Sequence, residues 1–311
     1  MPDMVVDKTF LSYIDYVTNG SLDNIENNMK RNMSIIRSNN PQYYADILRC
    51  YQTFYYWGKL DPENNVYELL ENRSRALKEN HHDFLWLYGR LSDYRSKRTL
   101  LGIVENWLTL SMVSLSRIIE TTFNHYFDLD VFKCHADEVV VDLGAYIGTT
   151  VKDYLASYTG YKRIYCYEIV PETFQKLQDN LAPYPNIVFR QKGAGDVNGV
   201  MYITDQEPDL SMHKLSDSGS VEVPVVKIDD DILEPITFIK MDIEGGEQQA
   251  IIGCRNHIQT SHPKLAISVY HNNEDIWKIP RMIDEMDSSY RFYLRYNGGH
   301  YFASEYVLLG V

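Results

Sequence analysis

Residues 139–148 read Val-Val-Val-Asp-Leu-Gly-Ala-Tyr-Ile-Gly, and this stretch decides the fold. A segment of small and polar residues, 134–138, precedes it, and Thr149, Thr150, Val151, Tyr154 and Leu155 follow with helical spacing. The stretch therefore reads as buried strand, tight turn and helix start. Such a turn cradles a cofactor, and one comparison shows which kind. A dinucleotide fingerprint, G-x-G-x-x-G, leaves backbone N–H groups bare for a pyrophosphate. Here the pattern is Asp-x-Gly-x-x-x-Gly, with Asp142 standing where a diphosphate needs positive potential. S-Adenosylmethionine has no phosphate and carries an ammonium and a sulfonium, so an acidic turn suits it. Gly144 and Gly148 let the backbone bend and approach a ligand without a Cβ in the way, and Ala145, Tyr146, Thr149 and Thr150 complete the expected cofactor-binding turn.

The chain has 311 residues, enough for two ordinary domains, each with a core. Hydrophobic residues at 44% and charged residues at 23% place it with soluble globular chains rather than disordered ones. A formal net charge of -13 argues against nucleic acid as the main partner, because phosphate binding needs a basic face. Cys50, Cys134, Cys166 and Cys254 are scattered without metal-ligand spacing and read as reduced core thiols. The N-terminus has no basic segment leading into an apolar one, and no run approaches the ~20 apolar residues of a membrane span. The expectation is a cytoplasmic protein with no membrane span.

Residues 1–127 read as an all-helical N-terminal domain. Phe10, Leu11, Ile14 and Val17 share one face; Ser21 is placed to cap a second helix bearing Leu22, Ile25, Met29 and Met33. A third helix follows Pro41 and runs toward Gly58, and Asp61-Pro62 predicts an N-cap and first helical position for a fourth through Leu77. Further stripes carry Phe84 to Leu91, Leu100 to Leu108, and Leu115 to Phe123. The Tyr and Trp residues fall on the same stripes as Leu and Ile, which marks them as helix-packing residues.

From residue 128 the pattern changes to short apolar runs alternating with amphipathic helices, the mark of a parallel sheet covered by helices. The run 163–168 ends in Glu168, 20 residues beyond Gly148, where a nucleotide site of this type places the carboxylate that accepts from ribose hydroxyls. Ile169 follows it, and Pro171 opens a helix. A strand over 186–189 leads into Lys192-Gly-Ala-Gly-Asp196, a turn whose Gly193, Ala194 and Gly195 permit close approach of a planar adenine. Two β runs, 200–204 and 221–227, flank a polar loop holding Ser211, Met212, His213, Lys214, Ser216 and Ser218, a candidate lid or acceptor contact. The run 237–247, Thr-Phe-Ile-Lys-Met-Asp-Ile-Glu-Gly-Gly-Glu, reads as strand, turn and helix start. Asp242 and Glu244 lie at its carboxyl end, where side chains project into the ligand crevice; Glu247 also suits a helix N-terminus. His271 ends the next strand and is a candidate general base. Lys240 alternates with Phe238 and Asp242 and is placed either to tune an acid or to form a structural ion pair.

These pieces together resemble the FkbM-type S-adenosylmethionine-dependent methyltransferases over residues 128–311. The resemblance rests on the 141–148 turn, the Tyr-Cys-Tyr-Glu strand end, the 239–247 segment, the 263–271 strand and the terminal Tyr-Arg-Phe-Tyr-Leu-Arg. It implies a Rossmann-like class I methyltransferase fold, α/β with seven mostly parallel strands, and O-methylation of a hydroxyl on a sugar, glycan or related natural product. Many members have proline directly after the ribose-binding acid; here Pro171 comes three positions after Glu168. Asp142, Gly144 and Gly148 are then expected at the methionine end and Glu168 at the ribose. Asp242, Glu244 or His271 is expected as base or acceptor clamp, with Asp242 also near the cofactor. Carboxylate and imidazole suit Mg, Mn or Zn, yet the spacing demands no metal and none is assigned. A nicotinamide-dependent oxidoreductase predicts G-x-G-x-x-G, which is absent. The non-enzyme alternative is an inactive methyltransferase fold serving as a binding or scaffolding module. The helical half lies outside the resemblance and is expected to shape acceptor choice or to form a homo-oligomer.

Overall fold

The computed structural model describes residues 4–203, 215–300 and 302–311. The chain divides into two compact units whose borders do not follow the linear sequence: one holds the chain to Thr121 with Val269–Lys278 and Arg291–Val307, the other Thr122–Ser268, Ile279–Tyr290 and Leu308–Val311.

In the first unit, apolar stripes build helices α1 (Val5–Asn19), α2 (Leu22–Asn39) and α3 (Pro41–Thr53), burying Phe10, Ile14 and Val17 from α1 and Ile25, Met29 and Met33 from α2. Ser21 caps α2 by accepting from the Asn24 N–H at 3.2 Å. Asp61 also caps, but only a single tight turn at Pro62–Asn64. Asn65 then takes a left-handed φ of 56°, which stops the helix. A two-residue ladder forms instead, β1 (Leu60–Asp61) with β2 (Val66–Tyr67), before α4 (Glu68–Glu79) begins. Helices α5 (His81–Arg90) and α6 (Tyr94–Thr109) follow as their stripes predict. The expected last helix shrinks to one turn, α7 (Val113–Ser116). Beyond it the backbone extends, because Ile119 bridges to Tyr296 and the Glu120 N–H donates to the Tyr296 carbonyl at 2.7 Å.

The second unit alternates strands and helices: β3 (Val139–Leu143), α8 (Thr149–Ser157), β4 (Arg163–Tyr167), α9 (Pro171–Leu181) and β5 (Ile187–Arg190). Next come β6 (Gly193–Ala194), β7 (Gly199–Ile203), β8 (Leu215–Ser216), β9 (Val221–Val226), α10 (Ile228–Asp231), β10 (Phe238–Met241), α11 (Glu247–Gly253), α12 (Arg255–Ser261) and β11 (Lys264–Ser268). The chain closes with α13 (Asp275–Met286), β12 (Phe292–Tyr296) and β13 (Tyr306–Gly310). Seven strands form one sheet in the order β12-β13-β11-β10-β3-β4-β5. Its five consecutive strands from β11 to β5 are parallel, and β3 is fully buried, as a strand covered on both faces must be. The order reverses at β3: the chain moves to β4 and β5 on one side and returns to β10 and β11 on the other.

A smaller sheet, β6-β9-β7-β8, packs Val170, Ile203 and Val223 with Ile169 and Leu215. The expected turn at 192–196 is in part an edge strand here, since Gly193 and Ala194 pair with Val225 and Val226. Among the described residues no helix is long and apolar enough to cross a membrane.

Two glycine substitutions separate packing from propensity. A Cβ on Gly253 would lie 2.0 Å from the Gly195 carbonyl oxygen, so Gly253→Ala should lower unfolding stability by about 1–3 kcal/mol. A Cβ on exposed Gly89 in α5 meets nothing within 4 Å, so Gly89→Ala should raise stability by roughly 0.5–1 kcal/mol. Denaturant titration of both variants measures the two signs.

Candidate cofactor and catalytic site

The reversal of strand order places the carboxyl ends of β3 and β10 side by side, the position at which open α/β sheets bind ligands. Gly144 makes that approach possible. It has φ +79°, and a Cβ there would fall 1.8 Å from the Asp242 carbonyl oxygen. The turn is pinned from β4, because the Gly144 and Ala145 N–H groups both donate to the Tyr167 carbonyl, at 3.1 and 2.9 Å. Gly148 closes it with a hydrogen bond to Ala145 at 2.8 Å, and Thr149 and Thr150 begin α8. Tyr146, with φ 48°, is exposed and donates its N–H to Glu168 Oε2 at 3.0 Å.

Beneath the turn lies a buried charge cluster. Lys240 is 2% exposed; its Nζ sits 3.0 Å from Asp142 Oδ1 and donates to the Gly144 carbonyl at 2.8 Å. The sheet register aligns the two residues, Lys240 opposite Asp142. Burial works against the Lys240 ammonium, but Asp142, Asp242 and Glu168 together hold its pKa above the usual lysine value. Burial likewise raises the Asp142 carboxyl, with Lys240 opposing the shift. Glu168 directly follows β4 and is pushed up to about 7 by burial, against the N–H groups of Val170 and Tyr146 that donate to its carboxylate. Three carboxyl groups thus share one ammonium, and the cluster carries surplus negative charge whenever more than one is ionised.

Asp242 is half-buried and held by a residue that the sequence pattern does not single out. Tyr126 donates its hydroxyl to Asp242 Oδ2 at 2.7 Å, shares a 3.2 Å hydrogen bond with Ser268 Oγ, and lays its ring 5.2 Å from Lys240 Nζ. His125 stacks on that ring at 3.9 Å, and burial lowers its pKa to about 4, so the imidazole is neutral at pH 7. The sequence cue was faint: Tyr126 sits in an irregular segment at the edge of the helical half, with φ +71°.

The other candidates are distributed as follows. Glu244 follows β10, half-buried with φ 58°, and Glu247 accepts the Ile243 N–H at 2.9 Å, the helix N-terminal role open to it. Ile169 packs into the small-sheet core. Gly193 and Gly195 are buried, and a Cβ would press on a Leu215 methyl from Gly193 and on a Val225 methyl from Gly195, each at 2.7 Å, so strand packing also favours small residues there. His271 belongs to the first unit, 2% exposed, with its ring edge-on to Tyr56 at 5.1 Å and tilted against Tyr270 at 4.1 Å. Ser211, Met212, His213 and Lys214 lie outside the described residues, while Ser216 ends β8.

Glu168 predicts a pH signature. A carboxyl whose folded pKa of about 7 exceeds its ordinary 4.5 favours the fold at low pH and loses that contribution as pH rises through the folded value. Relative to Glu168→Gln, which stays neutral, the wild type should lose thermal stability between about pH 4.5 and 7 and then level off. A gap that stays constant across that window would contradict the assignment.

The model of the methyltransferase FkbM domain matches residues 142–298, just over half of the chain. Among solved structures the chain is similar to the methyltransferase FkbM from Methylobacillus flagellatus KT, at 26% identity and a TM-score of 0.65, over 76% of this chain and 62% of that one. The chain thus spans less than two thirds of that protein's length. Weaker likenesses include an rRNA methylase from Streptococcus thermophilus, at 13% identity and TM-score 0.37 over 58% of this chain and 88% of that one. Another is fibrillarin from Aeropyrum pernix, at 14% identity and TM-score 0.37 over 65% and 74%. No curated protein sequence matches the chain. On the extent of the domain match, reinforced by the Methylobacillus structure, the chain belongs to the FkbM methyltransferase family.

Proposed function

We propose that this protein transfers a methyl group from S-adenosylmethionine to a hydroxyl oxygen of a sugar, glycan or related natural product. The observation that carries the reading is the excess of acid at the switch point, where Asp142, Asp242 and Glu168 surround the single ammonium of Lys240. A pyrophosphate would be repelled there, whereas a sulfonium and an ammonium would be attracted. The donor set therefore fits this cofactor better than a nicotinamide dinucleotide.

When bound, S-adenosylmethionine supplies an electrophilic methyl group, so the protein has mainly to align the acceptor and take up its proton. In this reading the 144–150 turn holds the methionine end. Glu168 accepts from the ribose hydroxyls, donors that stabilise its ionised form. Ile169, Gly193, Ala194 and Gly195 border the adenine. Lys240 holds Asp142 beneath the turn and Tyr126 fixes the rotamer of Asp242, which serves as base or acceptor clamp. Glu244 and His271 are the other proposed proton acceptors.

Calorimetric titration with S-adenosylmethionine, S-adenosylhomocysteine and NADH, with and without chelator, tests the cofactor. The two adenosyl ligands should bind and NADH should not. Failure of both adenosyl ligands would leave the scaffold reading as the better account. With methyl-labelled cofactor and a panel of hydroxylated acceptors, Asp242→Asn should lower turnover by roughly 10²–10⁴-fold, the range for loss of a general base. Its S-adenosylhomocysteine affinity should change far less. Wild-type turnover in that variant would remove Asp242 from the mechanism.

A further inference from the structure

Tyr126 lies outside residues 142–298, the span that matches the FkbM domain, yet its buried side chain meets the end of β10 in the same unit. Its hydroxyl makes two hydrogen bonds, at 2.7 Å to Asp242 Oδ2 and at 3.2 Å to Ser268 Oγ. Strand register explains why one hydroxyl reaches both. β10 and β11 run parallel with Met241 opposite Ile267, and Asp242 and Ser268 are the next residue along each segment. The backbone of Tyr126 is left-handed, with φ +71°, an unfavourable conformation for a bulky residue that persists where its contacts fix it.

While Asp242 is ionised, these two bonds have one consistent direction. A carboxylate only accepts, so the single phenolic proton of Tyr126 goes to Oδ2. The tyrosine oxygen is then the acceptor toward Ser268, whose own proton points at it. Ser268 is 0% exposed, so bulk water does not compete for that proton. Two hydroxyls in series thus end on one carboxylate oxygen, each polarising the next. Hydrogen bonds donated to the charged form of an acid favour that form. The ring that carries the hydroxyl is held as well, with His125 parallel to it at 3.9 Å and Lys240 Nζ 5.2 Å from its centroid. Other charges act on Asp242: the Lys240 ammonium attracts it, the Asp142 carboxyl opposes it, and a Glu244 carboxylate oxygen lies within 4.8 Å. His125 is neutral at pH 7.

We propose that Tyr126, backed by Ser268, is a positioning residue whose directed hydroxyl chain keeps the Asp242 carboxylate ionised as well as oriented. Its consequence for turnover rests on the reading of Asp242 as the base in methyl transfer. In that step the acceptor oxygen bonds to the methyl carbon, the methyl–sulfur bond breaks with its electron pair left on sulfur, and the hydroxyl proton passes to the Asp242 carboxylate. A carboxylate already protonated before the step cannot take that proton, so the chain sets the lower edge of the working pH range. Tyr126 supplies this from a segment outside the matched domain, so the charge state of Asp242 depends on more than the domain itself.

The test is carbon-13 NMR of the full chain labelled at its aspartate carboxyls, for wild type, Tyr126→Phe and Ser268→Ala, with the Asp242 resonance identified by its absence from Asp242→Asn. Tyr126→Phe keeps the ring beside His125 and Lys240 and removes only the hydroxyl. Its Asp242 carboxyl should titrate about 1 pH unit or more above wild type, and Ser268→Ala should move it the same way by less. The other charges around Asp242 are common to all three proteins, so the difference reports the hydroxyls. Such a titration needs neither cofactor nor acceptor, and its outcome is separate from that of the methyl-transfer reading. With methyl-labelled cofactor and a methylated acceptor in hand, the acid limb of kcat/KM in Tyr126→Phe should move up by the same amount. Its kcat should fall by roughly 10–100-fold, with S-adenosylhomocysteine affinity unchanged. An Asp242 titration that is unchanged in both variants, whatever their melting temperatures, overturns the proposal, and a shifted titration beside an unshifted kcat/KM profile overturns the part of Tyr126 in turnover. A shifted titration beside full turnover in Asp242→Asn upholds the hydroxyl chain and overturns the base reading instead.

Discussion

An ammonium group inside a parallel sheet is the constraint on which the second unit depends. Lys240 lies in the middle of β10, out of water, and no such charge persists without partners. Its partner is Asp142, one strand away and in register, with Nζ 3.0 Å from the carboxylate. The pair ties β10 to β3 at the seam where the strand order reverses. Removing one member of such a pair costs about 3–5 kcal/mol, because the survivor is left charged and unsolvated. The seam also dictates Gly144, since the strand ends come so close that the Asp242 carbonyl occupies the place of a Cβ. The buried pair, the strand register and the close approach at Gly144 thus meet at one seam.

The same contact sets the chemistry. Burial raises both Glu168, to about 7, and Asp142, while the single ammonium of Lys240 opposes each shift. A cationic ligand settling at this seam would relieve both. Tyr126 gives Asp242 a fixed orientation through a hydrogen bond, while its ring lies close to the same ammonium. The elements around the seam therefore form a single electrostatic unit rather than a row of separate acids.

Most of this was legible in the chain. Apolar runs ending in Asp142, Glu168, Asp242 or His271 announced strands, because a strand covered on both faces must be apolar until it reaches its end. Helices with a clean stripe and a capping residue, such as the one after Ser21, were equally readable. Pattern failed where a local conformation or a distant partner decided. Asn65 in a left-handed conformation interrupts the helix that Asp61-Pro62 should open. The segment after α7 is extended because of hydrogen bonding to Tyr296, 176 positions from Glu120, which no local periodicity can reveal. Gly193 and Gly195 look like room for a ligand and are also explained by strand packing. Tyr126 was invisible for a related reason: its hydroxyl acts on an acid 116 positions away.

Where a cofactor settles is the decisive point, and hydrogen–deuterium exchange with and without S-adenosylhomocysteine measures that most directly. The seam requires protection to appear at the carboxyl ends of β3, β4 and β10, in peptides holding Gly144 to Gly148, Glu168 and Asp242. Protection confined to other segments, with those three strand ends unchanged at saturating ligand, would contradict it.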